Sequence, residues 1–365
     1  MVPLKVHPKQ LVPGCIVQKT ILGMSGNPIV KAETVIEEQH IQALVRFGIE
    51  QMEVRERLIS GQPFKPKAYK NEDKQLIKKV TSPEPMDFET IYVETVHQYK
   101  KMFKAWQGGA PIDLGEVRNM VTPLFQSLTN NPPDLFILYK YATARDYLYH
   151  HAVSVALLSA YLAKKMKYEK GWFQIGLAGI LADSGMSRLN PNWLVKGTEL
   201  TIPEYKEMKK HPTYSYQLVE NITSLTKGAK LAILQHHERM DGSGYPLGVT
   251  GDKIHAYAKI LAIVDTYHAM TSERAYRPKK SPFKVMEEML SAKHQKYDYS
   301  TLQVFVDAFI NYSIGTEVML SNGERGHVVF IHKNTPTRPM IRLSHNNEII
   351  DLNQKQALYI ENILT

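Results

Sequence analysis

The spacing of apolar positions divides the chain into a short mixed start, a long helical middle and a β-rich end. Between residues 37 and 47, Ile41, Leu44 and Val45 recur at helical spacing, which predicts an amphipathic helix ended by Gly48. Before it, Leu11-Val12-Pro13-Gly14 reads as a turn into the β-like alternation of Cys15-Ile16-Val17, and Gly26-Asn27-Pro28 precedes Ile29-Val30. Residues 1–57 are therefore expected to form a small α+β module. Residues 58–85 hold Pro63, Pro66, Pro83 and Pro85 among many charges. Proline removes a backbone donor and disfavours helix at the residue before it, so a linker is predicted there.

From 86 to 312 the pattern turns helical. Ala152, Val155, Ala156, Ser159, Ala160, Leu162 and Ala163 put small and apolar residues on one face. Ile175, Leu177, Ala178, Ile180 and Leu181 are apolar nearly all round, as a buried helix requires, and Ala258–Val264 reads the same way. Phe283–Leu290 supplies another helix. Beyond 313, Gly315–Leu320 and Gly326–Ile331 flank the turn Ser321-Asn322-Gly323, and Met340–Leu343 reads as a further strand, so 313–365 is expected to be a β-rich extension. The expected fold class is mainly α: many helices around one core, with a small module at each end.

Composition narrows this picture. With 43% hydrophobic and 22% charged residues the chain is globular in type. Cys15 is the only cysteine, which excludes an internal disulfide and a thiolate metal cluster and fits a reducing, cytoplasmic setting. The start Met1-Val2-Pro3-Leu4-Lys5 lacks an apolar core of signal-peptide length, and no apolar run reaches the roughly 18 residues of a membrane span. A net charge of +9 favours anionic partners. Its dispersal in pairs such as Lys164-Lys165 and Lys209-Lys210 gives no concentrated nucleic-acid footprint, and most such pairs are solvated surface.

The helical middle also holds His151, Asp183, His211, His236, His237 and Asp265. Imidazole with carboxylate suits iron, manganese or zinc. A carboxylate at the tip of an apolar helix must be paired, hydrated or metal-bound, as Asp183 and Asp265 would be. Taken singly, a histidine on a helix is more often a satisfied core residue; the adjacent pair His236-His237, beside Glu238 and a glycine-rich turn, points more to a site. The turn Asp241-Gly242-Ser243-Gly244-Tyr245-Pro246 has two readings as well: a surface loop, or a glycine-rich loop whose amides approach a phosphate.

Taken together, His236-His237-Glu238-Arg239-Met240-Asp241-Gly242-Ser243-Gly244-Tyr245-Pro246 resembles the HHE-x-x-DG-x-GYP signature of the HD-GYP family. Leu200-Thr201, Glu204 and Met208-Lys209-Lys210-His211 are similar to its LT-x-x-E-x-x-x-MK-x-H. Asp265 to Arg277 is similar to its D-x-x-DALTS-x-RPYR. The similarity spans roughly residues 145–280. It implies a helical domain of HD-phosphohydrolase type that hydrolyses cyclic di-GMP or a related dinucleotide with clustered divalent ions, iron or manganese. The metal ligands it implies are His151, Asp183, His211, His236, His237 and Asp265, with Asp183 bridging. Asp183, His211 and Asp265 would be the catalytic set. Arg274, Arg277, Gly244 and Tyr245 would face the substrate, since arginine's planar fork suits phosphate.

The match departs at four positions. Ala182-Asp183-Ser184-Gly185-Met186 stands where the family reads HD-x-GK, so a ligand histidine and a phosphate-contacting lysine are replaced. His268 replaces the second carboxylate of D-x-x-D, and Tyr147 replaces a glutamate that supplies an extra ligand in three-metal members. The expectation is one or two ions and weak or absent hydrolysis, with a regulatory role through nucleotide or protein-partner binding. An active phosphodiesterase with an altered dinuclear site is the alternative. A metal-free structural or interaction module is the third reading.

Overall fold

The computed structural model describes residues 4–22, 28–46, 49, 51–67, 87–130, 135–142, 146–273, 279–291, 296–310 and 312–364. The chain forms two compact units, Met1–Met86 and Asp87–Thr365. Gly48, Arg274 and Arg277 lie outside the described residues.

In the first unit, strand β1 (Leu4–Val6) is followed by β2 (Ile21–Leu22), β3 (Pro28–Val30), helix α1 (Glu38–Arg46) and β4 (Met52–Val54). β1 pairs antiparallel with β4, Leu4 opposite Val54 and Val6 opposite Met52, while β2 pairs with β3. Helix α1 turns Leu44 fully inward and leaves Val45 37% exposed, so its apolar face is narrower than the predicted trio. Cys15-Ile16-Val17 makes single bridges, Ile16 to Val35 and Val17 to Val54, rather than a full strand. Val17 and Cys15 are nevertheless buried in the core with Val6, Ile36, Leu44 and Val54. Phe64 joins that core too. A proline-flanked segment thus still packs where it carries a large ring to bury.

The second unit begins with α2 (Phe88–Gln107), capped by Asp87, whose side chain accepts the Thr90 amide. It continues with α3 (Leu114–Asn130), α4 (Tyr147–Lys165) and α5 (Trp172–Leu181), then α6 (Pro191–Leu194), α7 (Ile202–Met208) and α8 (His211–Val219). Next come α9 (Lys227–Gln235), α10 (Ala256–Thr271), α11 (Pro282–Leu290) and α12 (Tyr299–Phe309). Helices α4 and α5 form the centre, and nearly every residue from His151 to Ala163 and from Phe173 to Leu181 is buried. α10 packs against both α4 and α9. No helix among the described residues is long and apolar enough to cross a membrane.

The chain ends in an antiparallel sheet of β5 (Glu317–Leu320), β6 (Arg325–Phe330), β7 (Met340–Leu343), β8 (Ile349–Asp351) and β9 (Ile360–Leu364), ordered β8-β7-β6-β5-β9. Alternation places Val318, Leu320, Val328, Ile341, Leu343 and Ile350 inward. These residues share one continuous core with the helices. The junction is polar as well as apolar: Ser281 Oγ donates to the Ile360 carbonyl at 2.6 Å, and Arg338 pairs with Glu287 at 2.7 Å.

Candidate metal centre

Five segments of the second unit converge on one cluster. α4 brings His151, the end of α5 brings Asp183, and α8 opens on His211. α9 ends into His236 and His237, and α10 contributes Asp265. The close approach of the turn after Asp183 to α8 depends on Gly185. A Cβ there would sit 2.3 Å from the His211 carbonyl oxygen and from the Ser215 nitrogen. Ser215 ties the same turn: its Oγ accepts the Gly185 amide at 2.7 Å and donates to the Ala182 carbonyl at 2.6 Å.

Asp183 is central. His211 Nε2 lies 3.1 Å and His236 Nε2 3.7 Å from its Oδ1, while His151 Nε2 lies 3.6 Å from its Oδ2. Asp265 approaches from the other side, its Oδ1 2.9 Å from His151 Nε2 and its Oδ2 3.6 Å from His237 Nδ1. Two groups of metal-compatible side chains result, Asp183-His211-His236-His237 and His151-Asp183-Asp265, each with donor atoms within 4.8 Å of one another. Every sequence-predicted ligand is in one of them, and Asp183 is in both.

Hydrogen bonding tests whether a cation fits. Nδ1 of His211 donates to the Met208 carbonyl at 2.8 Å, and Nδ1 of His236 donates to the Ile233 carbonyl at 2.7 Å. A carbonyl only accepts, so both Nδ1 atoms carry a proton, which leaves each Nε2 as the atom turned to the carboxylate and free to ligate in a neutral ring. Those two Nε2 atoms face each other at 3.3 Å and converge on Asp183 Oδ1, a buried oxygen without a hydrogen-bond partner. Lone pairs gathered around a buried carboxylate require positive charge, from protons or from a metal ion.

The ionisation pattern agrees. Burial pushes the Asp183 carboxyl up, but the imidazoles of His211 and His236 hold it well below the usual carboxylate range. Burial also opposes ionisation of Asp265, and His237 and His151 outweigh it in the same direction. Burial works against a charge on His236, yet the Asp183 carboxylate raises its pKa. His237 is driven well down by burial and by its neighbour His236. The donor set of four imidazoles and two carboxylates fits a divalent transition ion.

The departures from the family pattern are visible in the packing. Ala182 is buried and offers only a methyl group. Met186 packs its side chain against the apolar core. His268, one turn beyond Asp265, is fully buried with Nδ1 3.0 Å from His151 Nδ1, and Tyr147 OH lies 3.1 Å from that same nitrogen. With His151 Nε2 turned to the carboxylates, His268 and Tyr147 hold the far side of its ring. These contacts carry a sequence signal in hindsight: Tyr147/His151 and Asp265/His268 sit at the i,i+4 and i,i+3 spacings that share a helix face.

The glycine-rich turn has a packing role. Glu238, buried at the start of the loop, accepts the amides of Leu247, Gly248 and Val249 at 2.7, 3.2 and 3.2 Å. Gly244 lies against the backbone of His237, Glu238 and Arg239, where a Cβ would meet atoms at 2.5 Å. Tyr245 donates its amide to the His237 carbonyl and tilts its ring 4.7 Å from the His237 ring, walling the cluster. Gly244 and Tyr245 thus border the centre. Arg274 and Arg277 fall outside the described residues.

Residues 138–301 match the family model described as an HD domain, and residues 317–365 match that of a KOW domain associated with HD domain. The chain is 28% identical over 243 residues to the cyclic di-GMP phosphodiesterase PA4108 of Pseudomonas aeruginosa, covering 66% of this chain and 58% of that relative. It is 32% identical over 176 residues to a cyclic di-GMP phosphodiesterase of Thermotoga maritima, covering 47% of this chain and 48% of the relative. It is also 33% identical over 151 residues to 3'3'-cGAMP-specific phosphodiesterase 1 of Vibrio cholerae, covering 40% and 33%. The chain therefore spans less than two thirds of the length of these curated relatives.

Proposed function

We propose, from the premise that this chain belongs to the HD-GYP family, that its helical unit binds cyclic di-GMP at a divalent-metal centre and hydrolyses it weakly or not at all. On this reading nucleotide binding, rather than turnover, is the regulatory output. The observation that carries it is Asp183, a buried carboxylate shared by two groups of metal-compatible side chains, with one oxygen that protons or a metal ion must satisfy. Iron or manganese is the proposed ion. Asp183, His211, His236 and His237 would hold one ion, and His151, Asp183 and Asp265 a second. An ion so bound supplies Lewis-acid polarisation of a phosphodiester and lowers the pKa of an attacking water.

The residues themselves support weak chemistry. Ala182 contributes no lone pair to the group of His151, Asp183 and Asp265. Met186 brings a thioether where a cation would stabilise phosphate charge. Removing one comparable donor costs a factor of roughly 100 to 1,000 in rate. Arg274 and Arg277 are proposed phosphate contacts on the family resemblance. A second reading, a working enzyme with an altered dinuclear site, is favoured by one observation: His151, Asp183 and Asp265 converge without any help from position 182.

Turnover of cyclic di-GMP by manganese- and iron-loaded protein separates the two. The proposal expects tight binding with slow or no linear product, and a clear gain in rate when Ala182→His is combined with Met186→Lys. Rapid turnover by the unaltered chain, with no gain in the double variant, would replace it with the second reading.

A further inference from the structure

We propose that Lys209, packed on the rings of Tyr205 and Tyr245 at the edge of the His/Asp cluster, binds a phosphate of the dinucleotide; this rests on the function proposed above. Lys209 follows α7 directly, and its amide donates back to the Tyr205 carbonyl at 3.1 Å. Its ammonium lies 4.9 Å from the centre of the Tyr205 ring and 5.3 Å from that of Tyr245. The Tyr245 ring in turn lies 4.7 Å from His237 and 6.3 Å from His211. One tyrosine ring therefore touches both Lys209 and the ligand histidines.

Its neighbours are occupied differently. Lys196 is paired with Glu204 at 2.6 Å and Lys210 with Glu207 at 2.7 Å. Among the described residues no carboxylate pairs with Lys209, so its charge is offset only by the faces of two rings. A cation between aromatic faces is oriented but keeps its affinity for an anion. The turn after Asp183 lies close to the same helix start. Gly185, beside Met186, packs on the carbonyl of His211, and Lys209 precedes His211 by two residues. Tyr205 is 51% exposed, which leaves its ring open to a nucleobase as well as to the ammonium.

The test is calorimetric titration of a hydrolysis-resistant phosphorothioate analogue of cyclic di-GMP into the manganese-loaded full chain. Lys209→Gln should raise Kd about 10- to 100-fold, the usual loss for a hydrogen bond to a charged group. Lys209→Arg should stay near the wild type, and Lys210→Gln, already neutralised by Glu207, should not move it. Manganese content and circular dichroism of all three should match the wild type. Wild-type affinity in Lys209→Gln, or equal weakening in Lys210→Gln, would overturn the role of Lys209 while leaving the proposed function standing. A wild-type chain that does not bind the analogue would overturn both.

Discussion

His151 shows how the cluster is held at the level of single side chains. Its Nε2 faces Asp265 at 2.9 Å and Asp183 at 3.6 Å, while its Nδ1 meets His268 at 3.0 Å and Tyr147 at 3.1 Å. A ligating imidazole needs its second nitrogen satisfied, which fixes both tautomer and ring angle. His268 Nδ1 can accept that proton, and its own ring is steadied by Ser272 Oγ at 3.3 and 3.4 Å. The substitution His268→Ala should therefore weaken metal binding about 10- to 100-fold, the range typical of lost outer partners. Competition with a chelator, monitored by free manganese, measures this. Unchanged affinity would make His268 a packing residue only. The six side chains that the structure gathers in the cluster were legible from residue type and motif order. The support from His268 was not, because it acts across a separation of 117 residues that only the packing of α4 on α10 closes.

At the scale of elements, the apolar runs located the buried helices well because α4, α5 and α10 are wrapped by protein on most sides, and their sequences had to be apolar nearly throughout. The hairpin of β5 and β6 was equally plain from alternation and its turn. Less legible were segments whose burial depends on one residue. Phe64 draws a proline-rich stretch into the first unit, and Val45 turns outward where spacing alone pointed it inward. The cap of α12 gives a prediction at this level. Asp298 accepts the Thr301 amide at 3.0 Å and the hydroxyls of Ser300 and Thr301, with Lys259 3.4 Å away. Burial raises its pKa, but these donors outweigh it and bring the carboxyl to about 2. The folded value is thus depressed below the roughly 3.9 of an unfolded aspartate. Its stabilisation is complete above pH 4 or so and is lost as pH falls through about 2. Asp298→Ala should cost about 1–2 kcal/mol at neutral pH. Urea melts of both proteins should show that gap narrowing as pH drops below about 4, whereas a constant gap would assign the loss to packing.

On the scale of the whole molecule, one core joins the helices to the terminal sheet, and the cluster sits where five segments of that unit meet. Such convergence brings two carboxylates and four imidazoles out of water together, an arrangement that is costly without compensating positive charge. An ion bound only by the folded chain repays that cost and links metal to stability. Asp183→Asn keeps the shape and removes the shared charge, so it isolates the ion from the fold. The most direct measurement is the metal content of manganese-loaded wild type and Asp183→Asn by mass spectrometry, with a thermal melt of each. The account predicts about two ions per wild-type chain, a melting temperature raised by metal, and loss of both effects in the variant. A wild type that takes up no metal, or a variant that binds it equally well, would contradict the claim that Asp183 bridges a metal centre.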